Sequence, residues 1–136
     1  MPKSWNEKLN IDRKPEVGPS VRKIDGFPPG SLMLVPTPRE VRDYVVALKP
    51  GTTSSIPEMR AALAKQFGAE VTCPMVAGIF ARIVSEAALD DHRAGASLDK
   101  ITPFWRLVDP KTPLAKRLTC GPEFVLKMRK SEGLHD

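Results

Sequence analysis

The chain has 136 residues, 41% hydrophobic and 27% charged, proportions that fit one ordinary globular domain and argue against global disorder. Its 21 Lys and Arg outnumber 16 Asp and Glu, giving a formal charge of +5, which favours an acidic partner such as nucleic acid without singling one out. No apolar run approaches the roughly 18 residues of a membrane-spanning helix, and MPKSWNEK lacks the apolar core of a signal peptide; a cytoplasmic protein with no membrane partner is expected.

Residues 1–30 mix Lys, Arg, Pro and Gly without apolar periodicity, which predicts a basic N-terminal arm or extended segment ahead of one domain over residues 31–136. Lys3, Lys8, Arg13, Lys14, Arg22 and Lys23 lie in it. They either track phosphates or form a solvated tail. Trp5, Leu9 and Ile11 are placed to pin part of the arm to the domain.

The first helix is announced by TPRE: Thr37 caps, Pro38 takes the first helical position and Glu40 completes a capping box. Val41, Tyr44, Val45 and Leu48 follow at spacings of three and four until Lys49-Pro50-Gly51 ends the run. The same grammar recurs with Ser55 and Glu58, the stripe Ile56, Met59, Leu63 and Phe67, and the stop Gly68. Thr72 then caps a third helix through CPMVAGIFARIVSEAAL, with Val76, Ile79, Phe80, Ile83, Val84 and Ala87 facing the core. Gly78 is interior to that helix, a cost of about 1 kcal/mol relative to alanine that close packing or close approach would explain.

Two capped helices joined by a short link meet the requirement of a helix-turn-helix, in which the second helix presents its first turn to a DNA groove. A plain three-helix core reads the same way. Residues 90–100, with His92 among them, read as a polar loop. FWRLV, the turn DPKTP and LAKRL then predict a small β wing. GPEFVLKMRKSEG closes the chain as a helix that starts at Pro122, buries Phe124, Val125 and Met128 and stops at Gly133. The expected fold is α+β, mostly α: a winged-helix-like domain with a helix-turn-helix core and a small β wing.

Cys73 and Cys120 form neither a CxxC pair nor a zinc spacing with His92 or His135, so free thiols, no metal and no cofactor are expected. Cys73 falls in a first helical turn and Cys120 near Lys116 and Arg117, settings that lower a thiol pKa, yet neither has a base beside it in sequence.

From Thr37 to Gly133 the order of elements resembles the C-terminal DNA-binding domain of the O6-alkylguanine-DNA alkyltransferases and the alkyltransferase-like proteins. The resemblance is carried by VRDYVVALKPGTT, IPEMRAALAKQFGA, CPMVAGIFARIV, TPFWRLVDP and FVLKMRKSEG. In the alkyltransferases the motif is Pro-Cys-His-Arg-Val, whose cysteine takes the alkyl group from a flipped guanine. Alkyltransferase-like proteins carry tryptophan for that cysteine and bind alkylated bases without repairing them. Aligned on Pro103 and Arg106, Phe104 takes the nucleophile position and Trp105 the histidine position.

The resemblance therefore implies a non-enzymatic DNA-binding protein that senses damaged or alkylated bases, with duplex DNA and a repair protein as partners. Thr72, Met75 and Arg82 would lie nearest DNA, Lys111, Lys116 and Arg117 would contact phosphate, and Phe104, Trp105 and Arg106 would line a base pocket. Glu132 matches the family's orienting glutamate but has no histidine to orient, and reads as a last-turn carboxylate on a solvated face. The family's base-flipping tyrosine is replaced within Ser54-Ser55-Ile56, and its intercalating arginine falls at Gly78 or a neighbour, with Arg82 one turn later. The alternative is a protein–protein interaction module on the same scaffold, marked by an apolar patch at Phe104 and Trp105 without a basic rim.

Overall fold

The computed structural model describes residues 3–134; His135 lies outside them. The fold is α+β, with about half the chain helical and one three-stranded sheet. Residues 1–30 contain a helix, α1 (Trp5–Leu9), and a strand, β1 (Glu16–Pro19). Ser4 and Glu7 close a reciprocal capping box on α1, and Leu9 is buried in the main core. β1 pairs antiparallel with β2 (Leu32–Val35), and β2 pairs in parallel with β3 (Val71–Thr72). Within β2, Leu34 is buried while Leu32 and Val35, at the two ends of the strand, are exposed.

α2 (Pro38–Ala47) and α3 (Ile56–Gln66) form as their caps predict. The Glu40 carboxylate accepts the Thr37 N–H at 2.6 Å, and Ser55 Oγ accepts the Glu58 N–H at 3.2 Å. Val41, Val45, Met59 and Leu63 are buried, with Tyr44, Ile56 and Phe67 packed on them. Gly51 and Gly68 take the left-handed conformation that ends each run.

α4 (Pro74–Arg93) departs from expectation in three ways. Its cap is Cys73, since Thr72 belongs to β3. It runs on through Asp90 to Arg93, where an Arg93–Asp90 ion pair at 2.7 Å supports the last turn and Gly95 follows with positive φ, so His92 is helical and not in a loop. Its buried face holds Ile83, Val84 and Ala87 as expected, with Val76 and Phe80 half-buried, but Ala77, Ala81 and Ala88 are also inside, whereas Ile79 is 58% exposed. Small alanines let α1 and α2 approach α4 closely, and the bulkier Ile79 is left outside. Nor does Gly78 mark close packing, because a Cβ there would meet no atom within 4 Å.

The β wing expected over FWRLV and LAKRL is not formed. Phe104–Arg106 is a 3-10 turn, and Pro113–Arg117 is a helix, α5, with Pro113 at its start. Consecutive Phe104 and Trp105 are both buried. A half-exposed strand would send them to opposite faces, whereas a helical turn brings both inward. α6 (Gly121–Ser131) buries Val125 and Met128 and half-buries Phe124. α4 spans two core clusters, one around Leu34, Val45, Met59 and Val84, the other around Leu89, Phe104, Trp105 and Val125.

Among the described residues, no helix is long and apolar enough to cross a membrane, and no group of three or more His, Cys, Asp or Glu is placed to hold a metal.

Candidate nucleic-acid interface

α4 presents Met75, Gly78, Ile79 and Arg82 at spacings of three and four, hence on one face. Met75 is 72% exposed and Ile79 58%, and the Arg82 side chain is 41% exposed. Beside this face, α1 and α5 border a groove of about 430 Å³ lined by Trp5, Lys8, Gly78, Ile79, Arg82, Leu114 and Arg117 among others. Lys8 Nζ stands 4.4 Å from the Trp5 ring centroid and Arg82 Cζ 5.4 Å from it, both in cation–π range.

Arg82 and Arg117 are thus brought to one groove, with Met75 on the same helix face. Lys116 and Lys111 are exposed on α5 and on the turn before it. Thr72 is separate: it is 1% exposed, its Oγ1 donates to the Arg60 carbonyl at 2.7 Å, and its own carbonyl accepts from Arg60. Trp5, Lys8 and Ile79 are the residues that sequence reasoning did not place here. The distance between α1 and α4 along the chain hid Trp5 and Lys8, and Ile79 was hidden by its assignment to the core face of α4.

The second constellation centres on Glu132, where α6 ends. Its carboxylate accepts from Trp105 Nε1 at 2.8 Å, Arg106 Nη2 at 2.9 Å, Arg106 Nε at 3.0 Å and the Gly51 N–H at 3.1 Å. Arg106 also donates to the Leu48 carbonyl at 2.8 Å. The solvated reading of Glu132 is therefore corrected: its side chain is 13% exposed and Arg106's 12%. Burial alone would raise the Glu132 pKa, but hydrogen bonds from Arg106, Trp105 and Gly51, with the guanidinium charge, outweigh it and hold the carboxyl below its ordinary range. Trp105 thus fills the histidine position as a donor to the same glutamate, and the arrangement ties the end of α2, the 3-10 turn and α6 together.

Trp105, Arg106 and Glu132 line a cavity of about 640 Å³ with Val46, Pro50 and Thr102 among others. Phe104 does not line it. It is fully buried, stacked on Phe124 at 6.1 Å and edge-on to Trp105 at 5.4 Å. Arg129, buried behind it, donates to the Trp105 and Val108 carbonyls at 2.7 and 3.0 Å. The expected trio is thereby divided: Trp105 and Arg106 share the cavity wall and Phe104 is core. The cavity and the α4 groove have no lining residue in common.

Both cysteines are free thiols. Burial, then the Glu86 carboxylate, push the Cys120 pKa up to about 11 from 9.0, against the lowering that Lys116 and Arg117 suggested in sequence. At pH 8 only about 0.1% of such a thiol is thiolate, the form that attacks carbon. Iodoacetamide should therefore label Cys120 far more slowly in the folded protein than in denaturant at pH 8, with a rate that climbs toward pH 11. Equal labelling in both states at pH 8 would contradict the assigned environment.

Comparison with known protein families, curated proteins and solved structures finds no match to this chain.

Proposed function

We propose that this chain is a non-enzymatic DNA-binding protein of alkyltransferase-like type, with α2, α3 and α4 as its helix-turn-helix core, and that it senses damaged or alkylated bases in duplex DNA for a repair-protein partner. The observation that carries this reading is the outward face of α4: Met75 and Ile79 stand bare on it, and Arg82, Lys8 and Arg117 flank it. A monomer gains nothing by exposing two large apolar side chains between cations, whereas sugar edges and phosphates satisfy both.

The non-enzymatic part rests on Phe104 and Trp105. The position aligned with the nucleophile is a fully buried phenyl ring, and its neighbour spends its one donor on Glu132. The rival reading, a protein interaction module, asks for an apolar patch at these two aromatics, and both are buried.

Titration of the fluorescence of Trp5 and Trp105 with plain and O6-alkylated duplexes tests the proposal, paired with intact mass after incubation with O6-methylguanine DNA. Saturable quenching by duplex, tighter for the alkylated one, and an unchanged mass are expected. Binding to neither duplex overturns the DNA reading, and a methyl added to the protein overturns the non-enzymatic one.

A further inference from the structure

The groove between α1, α4 and α5 gathers three cations, Lys8, Arg82 and Arg117, of which, among the described residues, only Arg82 has a carboxylate within 4 Å. Arg82 Nε is buried and makes no hydrogen bond. Its nearest carboxylate oxygen, Glu86 Oε2, is 3.9 Å away and already accepts the Thr119 N–H at 3.1 Å, while Oε1 takes the Thr119 hydroxyl at 2.6 Å. Among the described residues neither Lys8 nor Arg117 makes an ion pair. Arg60 and Arg106, by contrast, each find a carboxylate.

The Arg82 side chain is nonetheless 41% exposed, so its guanidinium reaches the groove, where a ligand oxygen would accept a charge-assisted hydrogen bond. The Trp5 ring contacts both Lys8 and Arg82, and a cation–π contact restrains a cation without neutralising it. Gly78 adds to this: it sacrifices helix propensity, and the space its missing Cβ leaves is open, with no atom within 4 Å. An anionic group can thus come close to the α4 backbone between the three charges.

We infer that this groove is a phosphate seat for a nucleic-acid backbone, in which the Arg82 and Arg117 guanidinium groups donate to neighbouring phosphodiesters, Lys8 adds charge and Trp5 acts as a positioning residue. The inference rests on the DNA-binding reading and names where on the molecule the backbone is held. Phosphodiester fits better than an isolated small anion because exposed Lys116 continues the basic line along α5 and exposed Met75 and Ile79 continue the α4 face. A backbone running past the seat would meet both.

The test uses the full chain and an undamaged duplex titrated at several KCl concentrations. Arg82→Gln and Arg117→Gln should each weaken binding about fivefold or more and reduce the salt slope by about 0.9, the signature of one phosphate contact removed. Gly78→Leu keeps every charge and fills the groove; it should weaken binding to a similar extent while melting no lower than the parent, so it carries the test if Arg82→Gln fails to fold. Lys130→Gln, an equal loss of charge on the outer face of α6, should stay within about twofold of the parent. A parent that binds and seat variants that match it overturn the seat and leave the DNA reading standing, as does an equal loss in Lys130→Gln, which reports net charge alone. A parent that binds no duplex overturns both.

Discussion

Replacing Glu132 with alanine should lower the unfolding free energy by about 3 kcal/mol. The substitution removes a carboxylate that is 13% exposed and leaves a guanidinium that is 12% exposed with the Leu48 carbonyl but no counter-charge, and breaking a mostly buried pair by deleting one partner costs about 3–5 kcal/mol. It also strands the Trp105 indole N–H and the Gly51 N–H, each a further loss. Glu132→Gln should fall between the two, since an amide keeps the shape and only part of the hydrogen bonding. The pH dependence has a definite sign. Folding holds the Glu132 pKa below 4.5, so its contribution is fully present above that unfolded value and is lost as pH falls through the folded one. The gap between parent and Glu132→Gln in urea melts should therefore be widest near neutrality and close in acid. A difference under about 1 kcal/mol at pH 7, the worth of a surface ion pair, would contradict the buried network.

Phe104→Ala should cost about 4 kcal/mol, the range for deleting a fully buried phenyl ring and leaving a cavity behind. Phe104 has no exposed surface and is wedged between Trp105 and Phe124, where the aromatic contacts add to the area it buries. Phe104→Leu keeps most of the volume and should cost about 1–2 kcal/mol. The urea midpoint should fall in both variants with the slope unchanged. A loss below about 1 kcal/mol for the alanine variant would mean that this side chain does not face the core. The same burial bears on the resemblance: the position that aligns with an alkyl-accepting cysteine points into the core here, so the wall of the neighbouring cavity is built by Trp105, Arg106 and Glu132 instead.

What could be read before folding depended on how local the deciding interaction is. The starts of α2 and α3 were legible because Thr37 and Glu40, or Ser55 and Glu58, meet within three residues. β1 was not legible, since its four residues include Gly18 and Pro19 and it exists through pairing with β2 across the register Glu16 to Val35. FWRLV alternates like a strand, yet Phe104 and Trp105 are buried together by α6, a constraint no eight-residue window contains. Glu132 looked solvated because its donors lie up to 81 residues away. On α4 the inward positions Ile83, Val84 and Ala87 were legible, while Ile79 was assigned to the core and with it half of the exposed face was hidden.

The site followed the same rule. Arg82 and Arg117 were named from their elements, and Lys8 and Trp5 were not, because only the packing of α1 on α4 brings them to the same groove. A formal charge of +5 pointed toward an anion, and the structure adds where Lys8, Arg82 and Arg117 converge.

The central claim is most directly tested by the salt dependence of duplex binding, followed through the fluorescence of Trp5 and Trp105 from about 50 to 200 mM KCl. Contacts from Lys8, Arg82, Arg117 and Lys116 predict a log K that falls linearly with log salt at a slope between about −2.5 and −4, near 0.9 per neutralised phosphate. A flat dependence, or no saturable binding at the lowest salt, would contradict it.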